Sequence, residues 1–290
     1  MLLSAGLLYP PVRLLALVVA GRSPSCPLKQ AIRSEANLND QISLNQKIIK
    51  ASKHLETDPA GFERWQTPKG TYWIPAGSRY VLPFNLAEQE RRIYGSGDRF
   101  VQNGNIVLDC GANVGVFTRE ALAAGAKKVI AVEPAPENLE CLRRNFAKEI
   151  STDRVVVYPK GVWDKDDVLP MNVDAHNSAA DSFVIHPAGS TATATGLPLT
   201  TVDKLVGELR LQQVDFIKMD IEGAEPKALA GARGTLARWH PKLAISVYHL
   251  PDHPVVVPQV VHAAWQGYRL ECGPCAVDHG KIRPDIYWFH

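Results

Sequence analysis

The chain has no surplus of charge of either sign: 32 Lys and Arg stand against 30 Asp and Glu in 290 residues, a formal net charge of +2. Without a basic excess or a long run of one sign, it lacks the electrostatic footprint of a protein that holds nucleic acid by its phosphates. Cysteine is scarce; five in the whole chain is too few, and odd in number, for a disulfide-built scaffold, so a reducing compartment is expected. No uninterrupted apolar run reaches the roughly 20 residues of a spanning helix. The most apolar stretch, residues 2–21, is broken by Pro10, Pro11 and Arg13. It also carries no positive charge ahead of its apolar core, as an export signal would. We read it as a loosely packed or amphipathic leader of a cytoplasmic protein, with membrane contact or export as alternatives. No repeat of roughly 20–50 residues is present, which excludes solenoids and propellers. What is there is 46% apolar and 21% charged, enough apolar surface to offset chain entropy.

From Pro27 to Leu55, apolar residues such as Ile32, Leu38, Ile42 and Ile49 recur at helical intervals. A Pro- and Gly-punctuated stretch with Phe62, Trp65, Tyr72, Trp73 and Tyr80 follows, as expected for short strands and turns forming a cap. This divides the chain into residues 1–80, a leader, helix and cap, and residues 81–290, the main domain. Residues 86–94 read as a further short helix.

Beyond Asn105 the pattern is regular. Apolar runs at 106–108, 128–132, 155–158, 214–221 and 243–248 read as strands buried on both faces. Helical patterns at 114–124, 136–149, 226–239 and 256–266 separate or follow them. Such alternation predicts a parallel sheet covered by helices on both sides, closed by a hairpin from residues 268–271 and 286–289. Residues 164–205 read as an inserted β element or substrate lid, with a plain surface excursion as the alternative.

The loop Asp109-Cys110-Gly111-Ala112-Asn113-Val114-Gly115 ends the first of these strands and opens a helix. Ligands of open α/β sheets lie beyond the carboxyl ends of the strands. Gly111 and Gly115 permit close backbone approach to a ligand or positive φ. Asp109 offers a carboxylate to a cationic amine. Glu133 ends the second strand, where an acid can accept both hydroxyls of a ribose. A dinucleotide fingerprint would have glycine where Asp109 stands, and a carboxylate there repels a pyrophosphate. A ligand with an amino group and a ribose but no phosphate fits better; that describes S-adenosylmethionine.

In Val214-Asp215-Phe216-Ile217-Lys218-Met219-Asp220-Ile221-Glu222, strand alternation places Lys218, Asp220 and Glu222 on one face. Burying them costs several kcal/mol unless they pair or serve a ligand. Either Lys218 pairs with Asp220 or Glu222 as a structural ion pair, or the three groups stand beside a reacting methyl. His249 follows the fifth strand, where it can take a proton from a substrate hydroxyl or simply cap the loop.

Together VLDCGANVGVFT (107–118), AVEPAPENLECLRRN (131–145), TTVDKL (200–205), VDFIKMDIEGAE (214–225) and LAISVYH (243–249) resemble the FkbM family of S-adenosylmethionine-dependent methyltransferases over roughly residues 90–270. The resemblance implies a Rossmann-like class I methyltransferase fold, with a seven-stranded, mostly parallel sheet and an antiparallel last strand. It matches Asp109, Gly111, Asn113, Gly115 and Glu133 to cofactor-binding positions. It implies O-methylation of a hydroxyl on a sugar, glycolipid or secondary metabolite by direct displacement, with Asp220 and His249 as foremost candidates for proton transfer and Lys218 and Glu222 as positioners. Some members carry an acid two positions before the histidine, where this chain has Val247. The scheme requires no metal, although Asp220, Glu222 and His249 offer oxygen and nitrogen ligands for magnesium. A small-molecule or glycan acceptor is the expected partner. An inactive nucleoside-binding module and an NAD-dependent oxidoreductase are the competing readings.

Cys272-Gly273-Pro274-Cys275 has C-x-x-C spacing, which reads as a turn with two reduced thiols. A redox pair, or a zinc half-site with His279 and His290, are the alternatives. His249 and His253 share i, i+4 spacing, but Pro251 and Pro254 point to a loop coincidence there.

Overall fold

The computed structural model describes residues 10–174, 177–186, 190–193 and 195–290. Part of the apolar leader, residues 2–9, and parts of the 164–205 stretch lie outside the described residues. The chain opens with two helices, α1 (Pro10–Val19) and α2 (Leu28–Ala51), then an antiparallel three-stranded sheet of β1 (Lys53–Thr57), β2 (Glu63–Thr67) and β3 (Gly70–Ile74). Helix α3 (Val81–Glu90) precedes the central sheet. There β4 (Ile106–Cys110), α4 (Val116–Ala123), β5 (Lys128–Val132), α5 (Pro136–Asn145), α6 (Ala147–Ser151) and β6 (Val155–Tyr158) alternate. Short strands β7 (Gly161–Val162), β8 (Asp167–Leu169), β9 (Asn172–Val173), β10 (Thr191–Ala192) and β11 (Leu197–Thr200) form two small sheets in the inserted stretch. The chain then runs through α7 (Val202–Glu208), β12 (Phe216–Met219), α8 (Glu225–Ala230), α9 (Arg233–Trp239), β13 (Lys242–Ser246) and α10 (His253–Ala264). It ends in β14 (Leu270–Cys272), β15 (Cys275–Asp278), β16 (Lys281–Pro284) and β17 (Ile286–Phe289).

The central sheet has seven strands in the order β14-β17-β13-β12-β4-β5-β6. Strands β13, β12, β4, β5 and β6 are mutually parallel, and β17 runs antiparallel to both β13 and β14. This is the Rossmann-like methyltransferase sheet. Alternation decides the two faces: Leu108, Ile130, Ile217 and Ile245 bury against Leu205, Leu229, Leu236 and Val261 on one side. Their neighbours Val107, Val129, Phe216 and Ala244 bury against Phe117 and Ala121 on the other. Both faces are apolar because helices cover both.

Several of the expected elements are shorter or interrupted: the helix expected over 27–55 ends at Ala51, with Leu55 in β1, and the strand expected over 243–248 ends at Ser246. The helix expected over 136–149 breaks at Phe146, and that over 226–239 breaks at Gly231–Ala232. The strand expected over 214–221 ends at Met219, so Asp220 and Glu222 lie beyond it and do not share a strand face with Lys218. Glu222 adopts φ 51°, a left-handed conformation uncommon for a residue with a Cβ. Chain reversal there, not pleat alternation, aims its carboxylate.

Ile48 of α2 and Tyr72 and Ile74 of β3 join Leu82, Leu86, Val114 and Val116 in one hydrophobic cluster, while Leu14 of α1, Cys26, and Ala31 of α2 bury in the cluster on one face of the central sheet. Residues Cys26 and Cys275 are joined by a disulfide across a sequence separation of 249. This corrects the reading of Cys275 as a reduced thiol; Cys272 is free and buried, 3.7 Å from the Cys275 Sγ. The bond staples the α1–α2 turn to β15, where Asn37 also donates to the Cys275 carbonyl at 3.1 Å. No helix among the described residues is long and apolar enough to cross a membrane.

A disulfide closing so long a loop restricts the unfolded chain strongly. Cys26→Ser should lower unfolding stability by about 2–4 kcal/mol in denaturant titrations. Thiol counting on the unreduced, unfolded protein should find three free cysteines.

Candidate functional site

A cavity of about 540 Å³ opens at the carboxyl ends of β4, β5 and β12, within the usual range for small-molecule sites. Gly111, Asn113 and Glu133 line one end, and Lys218, Asp220 and Glu222 another. Asp109, Gly115 and His249 are predicted site residues that do not line it.

Asp109 requires a correction. Its carboxylate, fully buried, accepts from the Thr118 hydroxyl at 2.7 Å and lies 3.3 Å from the Lys218 ammonium. The two residues sit directly opposite each other in the β4–β12 register. Lys218 is therefore the structural partner of Asp109, not of Asp220 or Glu222, and Asp109 lies behind the cavity wall, not on it. Lys218 also donates to the Gly111 carbonyl at 2.8 Å, so the pair holds the glycine loop against β12. Burial opposes the charge on Lys218, but the carboxylates of Asp109 and Asp220 outweigh it and raise its pKa.

Gly111 needs its missing side chain: at φ 77° a Cβ would stand 1.8 Å from the Asp220 carbonyl oxygen. Gly115, at φ 90°, would press a Cβ to 2.1 Å from the Phe146 ring. It serves the packing of α4 against α5 and not ligand approach.

Glu133 faces the cavity while 5% exposed. It accepts from the backbone N–H groups of Asn113 at 2.8 Å and Ala135 at 2.9 Å, and from the Asn138 amide at 3.4 Å. A carboxylate offers about four lone-pair directions, so capacity remains for a ligand hydroxyl. Burial raises its pKa, opposed by those donors. Asn113 and Asn138 both donate to the Ser178 carbonyl, at 3.1 and 3.2 Å, which brings the inserted segment over this end as a roof.

At the other end, Asp220 accepts from the Tyr94 hydroxyl at 2.6 Å. Behind Asp220 and Glu222 lies His249, whose side chain is 2% exposed. Its Nε2 is 3.4 Å from Asp220 Oδ1 and 3.3 Å from Glu222 Oε1, and its Nδ1 is 2.9 Å from Glu225 Oε1. Burial works against a charged ring, but Glu225 and Glu222 raise its pKa well above the usual histidine range. Burial likewise raises the pKa of Glu222. Asp220 is pushed up by burial but held below its usual range by Lys218 and His249. The histidine thus sits one layer behind the cavity wall, which corrects its expected role as direct acceptor of a substrate proton.

Glu225, fully buried, is the residue that sequence reasoning missed. It accepts from the N–H groups of Ile221 and Gly223, at 2.9 and 3.1 Å. Its second oxygen is 3.5 Å from Nδ1 of His253. The i, i+4 histidines are therefore no loop coincidence: both converge on this carboxylate. The signal available was the spacing Asp220, Glu222, Glu225 with two histidines shortly after the next strand. Tyr94, from outside the motif, had none.

Breaking the buried pair should be costly. Lys218→Met strands the Asp109 charge and should destabilise the fold by about 3–5 kcal/mol, whereas Lys218→Met with Asp109→Leu should recover much of that in the same denaturant titrations. Asp181, on the cavity wall, has its pKa raised to about 7 by burial, opposed by the Asp174 N–H. The folded state keeps its proton where the unfolded chain, titrating at 3.8, has lost it. The fold should therefore lose stability as pH rises from about 4 to about 7. Asp181→Asn should flatten that part of the melting-temperature profile.

The Methyltransferase FkbM domain family matches residues 109–274, more than half of the chain. No curated protein is similar to it at a significant level. Among solved structures, it is similar to a methyltransferase FkbM from Methylobacillus flagellatus KT at 18% identity and a TM-score of 0.47, over 88% of this chain and 59% of that one. A putative methyltransferase from Streptococcus mutans in complex with SAH is similar at 12% identity and a TM-score of 0.40, over 70% of this chain and 95% of that one. The chain thus spans less than two thirds of the M. flagellatus protein. The match begins at Asp109 and takes in the glycine loop, Glu133 and the whole Lys218–Glu225 segment: the chain belongs to the FkbM family of methyltransferases, whose methyl donor is S-adenosylmethionine.

Proposed function

We propose that this protein transfers a methyl group from S-adenosylmethionine to a hydroxyl oxygen of a sugar, glycolipid or secondary metabolite. One observation carries the reading: a single cavity joins Glu133 to Asp220 and Glu222, and Lys218, already paired with Asp109, is the one basic side chain among the described residues that line it. The other ionisable groups that line it are acids: Asp220 is held in its charged form by Lys218 and His249, whereas burial favours the neutral form of Glu88 and Asp181. Such a cavity suits a sulfonium cation and opposes a pyrophosphate or a phosphorylated acceptor. The cavity as a whole, not Asp109, is thus what disfavours NAD and nucleic acid.

The reaction is a direct displacement. The acceptor oxygen bonds to the methyl carbon as the carbon–sulfur bond breaks, and the sulfonium becomes a neutral thioether. Alignment within about 3–3.5 Å supplies much of the acceleration. Asp220 and Glu222 face the cavity and take the hydrogen bond, then the proton, of the acceptor hydroxyl; Tyr94 and His249 position them. Glu133 holds the ribose. The Cys26–Cys275 bond favours an oxidising compartment over the cytoplasm expected from composition.

Calorimetry should show saturable binding of S-adenosylhomocysteine and none of NAD, with Glu133→Ala weakening it about 10–100-fold. Asp220→Asn should lower transfer of labelled methyl to a glycan or metabolite extract at least about 100-fold. NAD binding without S-adenosylhomocysteine binding would overturn the assignment; donor binding without any transfer would leave a nucleoside-binding module.

A further inference from the structure

The geometry points to a divalent-cation site formed by Asp220 Oδ1, Glu222 Oε1 and His249 Nε2. One ligand atom from each residue lies within 4.8 Å of the other two. The imidazole nitrogen is 3.4 and 3.3 Å from the two carboxylate oxygens. Neighbouring ligands of an octahedral ion at about 2.1 Å stand roughly 3.0 Å apart, so a small inward movement completes the set.

The second observation is what this histidine does not do. Its side chain is 2% exposed, yet Nε2 makes no hydrogen bond, and Asp220 Oδ1, which it faces, makes none either. The two atoms face each other at ion-pair distance without a hydrogen bond to complete either, and buried polar atoms left so incompletely satisfied cost free energy that an ion between them would recover.

The outer contacts match the way proteins prepare metal ligands. A ligating imidazole is held by a carboxylate on its other nitrogen, and ligating carboxylates are themselves hydrogen-bonded. Here Glu225 Oε1 stands 2.9 Å from Nδ1 of His249, and is itself fixed by the Ile221 N–H. The oxygen of Asp220 that faces away from His249 accepts from Tyr94 at 2.6 Å. Glu222 reaches the histidine through a left-handed backbone at φ 51°, while the Ser182 hydroxyl holds its carbonyl at 2.6 Å. Backbone strain of this kind persists where the surroundings over-determine it.

Two carboxylates and one imidazole suit Mg²⁺ or Mn²⁺ better than a thiophilic ion. Three protein ligands leave about three octahedral positions, and Asp220 and Glu222 turn those toward the cavity. For the methyl transfer proposed above, on which this last step rests, the ion would bind acceptor oxygens and favour an acceptor with two adjacent hydroxyls.

The test uses the full chain with Mn²⁺ alone, without donor or acceptor. Calorimetry and the electron paramagnetic resonance of free Mn²⁺ should show one saturable site. Glu222→Gln and Asp220→Asn should each weaken it at least about 100-fold, and the positioning variant Glu225→Gln about 10–100-fold. Circular dichroism and thermal melts confirm that each variant is folded, and the partly exposed Glu222→Gln is the least disruptive of them. A flat Mn²⁺ titration of the parent protein, or a folded Glu222→Gln that binds Mn²⁺ as the parent does, overturns the proposal. S-adenosylhomocysteine binding, measured on the same samples without metal, reports separately on the donor pocket, so loss of one reading does not imply loss of the other.

Discussion

The buried pair of Asp109 and Lys218 is the constraint on which the rest of this structure depends. Two charges removed from water between central strands must satisfy each other or destabilise the sheet. Here the register of β4 and β12 sets them face to face. Each also holds a second group in place. Asp109 receives the Thr118 hydroxyl and anchors α4, and Lys218 holds the Gly111 carbonyl. Because Gly111 passes so close to the Asp220 carbonyl, the donor loop and the acidic loop are locked to one another. The two ends of the cavity share one mechanical foundation.

A second centre of organisation is Glu225, at the start of α8. It gathers two backbone N–H groups and two histidines around one carboxylate. A fully buried acid is tolerated when it is so densely partnered. It also sets the orientation of His249, and through His249 that of Asp220 and Glu222. The chemistry at the cavity wall is thus governed from a residue that does not touch the cavity.

The amino-terminal helices are tied to the same region. The disulfide and the Asn37 bond fix α2 to β15. Farther along α2, Gln41 donates to the Phe84 carbonyl at 3.0 Å and accepts from Arg91 at 3.0 Å, while Asn45 reaches the cavity. Helix α3, which carries Phe84, Asn85 and Glu88 to the cavity wall, is therefore braced by a segment anchored at the far carboxyl-terminal end of the chain.

The sequence alone determined the sheet, because a strand covered on both faces is written in consecutive apolar residues such as Val107-Leu108 and Val129-Ile130, and the intervening helices in their spacing. It also located the loop 109–115, Glu133 and the Asp220–Glu222 segment, since glycines and acids at the ends of buried strands are costly unless a tight turn, a charge partner or a ligand requires them. What it left to the tertiary structure was direction. A buried acid next to a ligand loop reads the same whether it faces the ligand or a lysine on the neighbouring strand, and only the β4–β12 register turned Asp109 inward. Strand alternation extended past Met219 placed Glu222 by the pleat, whereas a left-handed turn places it. Contacts made across long stretches of chain left no local pattern to read: Tyr94 on Asp220, Cys26 on Cys275. Such pairings arise from packing, and packing is a property of the folded chain.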